Sequence, residues 1–247
     1  MPNVPHASDD LPKVVTLESC AFPIVEQSID GYHVLKLPQE LRRIFEEGTH
    51  IVRINSSRVA NTLPDYGGGS SGRFSLLFHQ DHLDPSNDSR RYLALSKRTN
   101  GARNSSTLVV MPTTARHLLL LEEACFKESA QRIAMGKERC YDPRFLITEP
   151  QYHRCFDEDE GYERVVGEVL RKNGRILQEL SVRLGILGYL IRGAYADTIM
   201  RTLLACIEGQ YFEERWEQGG MLIFDNARVF HARYGGNITP LKRNFCI

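Results

Sequence analysis

Residues 216–233 read WEQGGMLIFDNARVFHAR. Two glycines precede an apolar segment, a DN turn follows, and a second segment contains His231 near its end. Short apolar segments on either side of a tight turn predict two strands, residues 220–224 and 228–232. A histidine at the end of a strand can be held rigidly, so His231 is a candidate functional residue.

The rest of the chain mixes strand-like and helix-like patterns without regular alternation. Strand patterns occur at residues 50–54, 73–79, 91–96, 106–111 and 242–247, and helical patterns at 38–47, 113–135 and 162–187. This order predicts the α+β class and favours a β-sandwich or barrel decorated by helices over a doubly wound sheet. We find no repeat or linker. The sequence therefore predicts one domain, residues 1–247, with residues 1–13 flexible and a helical insertion at about residues 113–213.

Composition and charge exclude several classes of protein. The 31 basic residues balance the 31 acidic ones, whereas a nucleic-acid-binding domain usually carries a basic surface. The first residues lack a secretory pattern, and the apolar stretch at residues 184–191 is far shorter than the roughly 20 residues of a membrane span. We therefore expect a cytoplasmic protein with no nucleic-acid or membrane partner. Its six scattered cysteines contain no CxxC pair and are expected to be reduced thiols.

His79 and Asp81 are candidate metal ligands in the segment FHQDH, residues 78–82. In a strand, residues two apart point to the same face, so the imidazole and the carboxylate would converge. The facial triad of two histidines and one carboxylate needs a third ligand, which His231 can supply. The HxD tripeptide alone is a weak signal, because it arises often by chance and a surface histidine beside an acid would look the same.

Together these segments resemble the taurine dioxygenase and clavaminate synthase-like superfamily, including the carbapenem synthase group. In those enzymes a strand carries HxD, and a later W-x-x-G-D-x-x-x-x-D-N-x-R-x-x-H-x-R stretch carries the distal histidine. Here His231 lies 152 residues after His79, within the family's usual separation. Thr107 and Arg243 lie near the spacings at which the family has a threonine and an arginine that contact 2-oxoglutarate. Gly220 departs from the family's common aspartate, which is not a metal ligand.

The resemblance implies a double-stranded β-helix core, of the jelly-roll or cupin-like type, with flanking helices and a helical insertion. It implies that His79, Asp81 and His231 hold Fe(II), and that Arg243 and Thr107 contact 2-oxoglutarate. The expected dioxygenase reaction uses O₂ to oxidise an unactivated C–H bond of a small molecule, with succinate and CO₂ as co-products. Hydroxylation is the default outcome, with desaturation, cyclisation and epimerisation open, whereas the carboxylate ligand argues against halogenation.

The substrate is less defined than the metal site. Relatives commonly act on amino-acid-like molecules or intermediates of natural product biosynthesis, and their layout places residues 61–72 and about 189–198 beside the substrate. Arg233 shares the predicted face of His231, and Tyr66 and Arg73 lie in or next to the first loop, so these three are candidate substrate contacts. An ion pair at the surface is an equally good interpretation of Arg233.

Two other functions fit part of the pattern. A metal hydrolase could use the same three ligands, but it has no need of Arg243 or Thr107. A non-catalytic jelly-roll protein could bind a small molecule, although an intact triad together with the arginine argues against it. The sequence does not predict an oligomeric state.

Overall fold

The computed structural model describes residues 11–20, 26–29, 32–56, 74–81, 91–97, 105–134, 161–172, 179–191, 194–216, 220–235 and 241–247. These residues form an α+β structure. Its strands are β1 Val14–Leu17, β2 Glu26–Ile29, β3 Tyr32–Leu35, β4 Ile51–Ile54, β5 Leu76–His79, β6 Tyr92–Lys97, β7 Ser106–Val110, β8 Phe212–Arg215, β9 Met221–Asp225, β10 Phe230–Tyr234 and β11 Leu241–Cys246. Its helices are α1 Gln39–Glu46, α2 Pro112–Ala134, α3 Gly161–Lys172, α4 Glu179–Leu190 and α5 Ala194–Cys206.

The strands form two sheets between which the chain passes repeatedly. The larger sheet has the order β1-β4-β9-β6-β11-β3-β2, and the smaller sheet has the order β5-β10-β7-β8. From β4 onward the chain changes sheet at every step except between β7 and β8. The antiparallel pairs β7–β8, β6–β9 and β5–β10 are nested in sequence, so strands far apart in the chain become neighbours. This nesting brings residues near 79 beside residues near 231.

Alternation along each strand separates three apolar layers. In β9, Leu222 and Phe224 pack between the sheets, while Met221 and Ile223 pack toward α1. Since successive strand residues point to opposite faces, one strand supplies both layers. The outer face of the smaller sheet packs against α2, α3, α4 and α5 through a third cluster. The interior between the two sheets is therefore the place where inward-facing polar side chains can gather.

A bulge in β5 selects which of its residues face that interior. His231 pairs with His79, and Arg233 pairs with Leu76. Two residue steps in β10 therefore correspond to three in β5, so β5 contains one extra residue. An extra residue of this kind bends a strand and re-aims its side chains. Consequently the two residues inside the bulge pack in the helix-side core, while His79 and Leu76 line the space between the sheets.

Several boundaries differ from the sequence predictions. The helical pattern at residues 162–187 is divided between α3 and α4, and β1, β2, β3 and β8 were not predicted. The helices between β7 and β8 span Pro112–Cys206, and the last residues of the predicted insertion, 212 and 213, belong to β8. Lys13, predicted to be flexible, donates its backbone N–H to His50 Nδ1 at 3.0 Å. Among the described residues no helix is long and apolar enough to cross a membrane.

Gly220 lies where the backbone leaves little room for a side chain. A Cβ atom at this position would lie 3.1 Å from the carbonyl oxygen of Ile54. We expect Gly220→Asp, which introduces the residue common in the superfamily that the sequence resembles, to lower the free energy of unfolding by about 1–3 kcal/mol, the usual cost of overpacking. Urea unfolding measures the change. Gly167→Ala is the control, since its Cβ would meet nothing within 4 Å, and equal stability of the Gly220 variant and wild type would contradict the expectation.

Candidate metal centre

The side chains of His79, Asp81 and His231 meet between the two sheets. One possible ligand atom from each lies within 4.8 Å of the others. The Nε2 atom of His79 is 3.5 Å from Asp81 Oδ1, and that of His231 is 3.8 Å from Asp81 Oδ2. Ligand atoms bound about 2.1 Å from a metal and at right angles lie roughly 3 Å apart, so small side-chain movements would close the triad. The donor set suits a first-row divalent metal.

Each histidine is presented by a strand. His79 is the last residue of β5, and its Nδ1–H donates to the carbonyl oxygen of Leu77 at 2.8 Å. This bond orients the ring so that Nε2 faces Asp81. His231 lies opposite His79 in β10, with the two ring centroids 4.3 Å apart, and its ring also packs against Phe224. Burial, and then the neighbouring His79, lowers the pKa of His231 to about 3, so this imidazole is neutral.

Asp81 lies just beyond the end of β5, and this corrects the prediction that His79 and Asp81 share a strand. Its backbone N–H donates to Asn226 Oδ1 at 3.1 Å instead of joining a strand ladder. Burial alone would raise the pKa of Asp81. The hydrogen bond with His79, the charge that His231 acquires only in acid, and the charge of Arg243 outweigh burial and hold that pKa well below its usual range. The carboxylate is therefore ionised and ready to bind a cation.

A pocket of about 90 Å³ opens beside these three side chains. Its apolar lining includes Leu76, Leu95 and Leu241, and its polar lining includes Thr107, Arg233 and Arg243 together with the three candidate ligands. Both sheets contribute, because β5, β7 and β10 belong to the smaller one, and β6 and β11 to the larger one. The fold therefore gathers six of the eight site residues that the sequence predicted into one cavity.

Arg243 and Thr107 occupy opposite sheets of the sandwich. Arg243 Nη1 donates to Asp81 Oδ2 at 3.1 Å and makes no other hydrogen bond within the described part of the chain. The hydroxyl oxygen of Thr107 accepts a hydrogen bond of 2.9 Å from the indole Nε1 of Trp216. A hydroxyl that accepts from a fixed donor keeps its own proton for another acceptor. Both residues can thus donate to an anion in the pocket.

No protein-family model matches this chain, and no curated protein matches it significantly. The likeness to the superfamily therefore rests on five spaced positions, His79, Asp81, Thr107, His231 and Arg243. Their side chains line one pocket although they come from β5, β7, β10, β11 and the segment after β5.

Arg233 lines the same pocket but is also anchored to the backbone. Its Nη2 donates to the carbonyl oxygen of Phe74 at 2.8 Å, and Asp197 Oδ1 accepts from the next backbone N–H, that of Ser75, at 2.7 Å. Burial lowers the pKa of Arg233, and the Asp197 charge opposes that shift. Tyr66 and Arg73, the other two candidate substrate contacts, lie outside the described residues.

Two residues that sequence analysis did not assign to the site support it directly. Gln80 Nε2 donates to the carbonyl oxygens of Asn226 and Val229, at 2.8 and 3.1 Å. Asn226, which the sequence places in the DN turn, binds the backbone N–H and carbonyl oxygen of Asp81 through its side-chain amide. The DN turn and the HQD segment were both visible in the sequence, but nothing in either indicated that they contact each other.

Proposed function

We propose that this chain is an Fe(II)- and 2-oxoglutarate-dependent oxygenase that oxidises a C–H bond of a small molecule, with hydroxylation as the default outcome. The observation that carries the proposal is the coincidence of two sets of groups in one pocket. His79, Asp81 and His231 form a triad suited to iron, and Arg243 and Thr107 stand beside it as donors for an anion. The triad alone would suit several metals, whereas the two donors favour a carboxylate-bearing co-substrate.

The topology supports a double-stranded β-helix core for this enzyme. Strands β4 to β11 divide into two sets of four, with the orders β4-β9-β6-β11 and β5-β10-β7-β8. A long hairpin that folds over, so that alternate strands enter opposite sheets, would give the nested pairs β5–β10, β6–β9 and β7–β8. Strand β4 departs from that pattern, because it pairs with β9 and lies apart from β11. We assign β1, β2 and β3 as additions to the larger sheet, and the four helices between β7 and β8 as the insertion.

The chain's own residues would bind the co-substrate and exclude water. Arg243 can hold a carboxylate with two parallel N–H donors, and Thr107, fixed by Trp216, can add a third. The leucines of the pocket wall keep the region apolar, which strengthens these charged contacts. Bound Fe(II), 2-oxoglutarate and O₂ would supply the oxidising chemistry, which amino-acid side chains lack. For a substrate R–H, the balanced overall reaction converts R–H, 2-oxoglutarate and O₂ into R–OH, succinate and CO₂.

Succinate release tests this proposal without knowledge of the substrate, because such enzymes can turn over 2-oxoglutarate slowly by themselves. We expect wild-type protein supplied with Fe(II), ascorbate, O₂ and 2-oxoglutarate to form succinate at a rate proportional to enzyme concentration. The rate should fall to background when Zn(II) replaces Fe(II), and in Asp81→Ala. Iron binding with succinate no higher than in the Asp81 variant would favour the binding-protein alternative. Ester hydrolysis supported by Zn(II) would favour the hydrolase.

A further inference from the structure

The segment that carries Asp81 is fastened to the turn between β9 and β10 by four side-chain hydrogen bonds. Asn226 Oδ1 accepts from the Asp81 backbone N–H at 3.1 Å, and Asn226 Nδ2 donates to the Asp81 carbonyl oxygen at 2.7 Å. Gln80 Nε2 donates to the carbonyl oxygens of Asn226 and Val229. Two neighbouring residues of one segment thus bind both ends of one turn.

These bonds replace the support that a strand would give. Asp81 lies two residues beyond His79, the last residue of β5, so no strand partner binds its backbone N–H and carbonyl oxygen. The side-chain amide of Asn226 forms hydrogen bonds with both the N–H and the carbonyl oxygen of Asp81, as a neighbouring strand would. Asn226 is fully buried and Asp81 is 8% exposed, so water competes little for these bonds. Their loss would leave buried backbone groups without partners, which is costly.

The same turn leads directly into β10, which presents His231 five residues after Asn226. The position of Asp81 relative to His231 is therefore set locally, through Asn226, Gln80 and a few residues of backbone. The third ligand, His79, is already fixed against His231 by strand pairing. The Asn226 amide thus fixes the Asp81 backbone relative to both imidazoles, while Arg243 Nη1 donates to the carboxylate itself.

We infer that Asn226, assisted by Gln80, is a positioning residue of the metal centre, which holds the Asp81 carboxylate in binding position by clamping its backbone. The inference rests on the proposed metal centre and adds a residue that touches neither metal nor substrate. Groups that orient metal ligands typically change metal affinity by about 10- to 100-fold when they are replaced. An amide that served only the fold would change stability and leave metal affinity unaltered.

Titration of metal-free full-length protein with Co(II) tests the inference. Co(II) is stable in air, and its visible bands report both affinity and coordination geometry. In Asn226→Asp, which keeps the shape but loses the N–H that faces the Asp81 carbonyl oxygen, we expect the Kd to rise about 10- to 100-fold with altered bands. Asn226→Ala should do the same. Arg91→Gln is the matched control, because it breaks an ion pair with Asp225 in the same turn without touching Asp81.

Circular dichroism and thermal unfolding accompany each titration, so that affinity is compared among folded proteins. If the Asn226 variants do not fold, Gln80→Ala tests the inference in their place. We expect the same rise in its Kd for Co(II). If folded Asn226 or Gln80 variants bind Co(II) with wild-type affinity and show wild-type visible bands, the positioning role of Asn226 is overturned. The proposed metal centre would remain. A wild-type protein that does not bind Co(II) would instead remove the metal centre, and the clamp with it.

Discussion

His231→Ala is expected to lower Fe(II) affinity by more than about 100-fold, beyond the loss typical of a ligand-orienting group, and to abolish succinate formation. His231 is one of the three proposed ligands and lies in a buried position, where its imidazole is neutral. Its removal leaves only His79 and Asp81, which are too few to hold a first-row metal firmly. Anaerobic calorimetric titration with Fe(II) measures the affinity, and circular dichroism establishes that the variant is folded.

His117→Ala is the matched control for this experiment. His117 lies on the exposed surface of α2, so its loss tests whether any histidine contributes to the measured binding. We expect it to retain wild-type affinity and one bound metal ion per chain. Tight binding of iron by His231→Ala would place the metal elsewhere and contradict the assignment of the triad.

Arg243→Met is expected to weaken 2-oxoglutarate binding by about 10- to 150-fold, the factor for losing 1.5–3 kcal/mol of hydrogen bonding to a charged group. Methionine keeps the apolar part of the side chain and removes every donor. Metal affinity should hold or increase, because a cation now 3.1 Å from Asp81 is removed. This opposite response separates the role of Arg243 from that of His231.

The fluorescence of the single tryptophan can report the binding of 2-oxoglutarate. Trp216 is the only tryptophan in the chain, and its indole donates to Thr107 inside the pocket. Its fluorescence in Co(II)-loaded protein should change as 2-oxoglutarate is added, and the titration midpoint gives the Kd. Arg201→Met removes an exposed arginine of α5 and should leave the Kd unchanged. An unchanged Kd in Arg243→Met would exclude this arginine as the co-substrate anchor.

The grouping of the candidate metal ligands was predictable from sequence because their spacing follows from the topology. Nested strand pairing brings β5 and β10 together, so His79 and His231 are close in space although distant in sequence. The bulge in β5 was not predictable, since Leu76, Leu77 and Phe78 are all apolar and show no alternation that would reveal an extra residue. The expectation that Asp81 continues the strand of His79 was wrong, since Asp81 lies beyond the end of β5, yet the two side chains still meet.

Other elements escaped prediction for different physical reasons. The FEER sequence of β8 is polar, and it forms a strand because Glu213 accepts from Ser106 and Glu214 pairs with Arg53. The residues of α3 and α4 pack into one core, so their shared periodicity suggested a single helix. These features depend on partners far along the chain, which a local pattern does not contain.

Iron and 2-oxoglutarate are proposed to bind together at the His79–Asp81–His231 triad. The most direct test is the visible absorption of the metal-free wild-type protein under anaerobic conditions, as Fe(II) and then 2-oxoglutarate are added. We expect a weak absorption band that requires both additions, is absent in His231→Ala, and needs more 2-oxoglutarate in Arg243→Met. Bound iron with no band at saturating 2-oxoglutarate would contradict the claim, because the keto acid would then not chelate the metal.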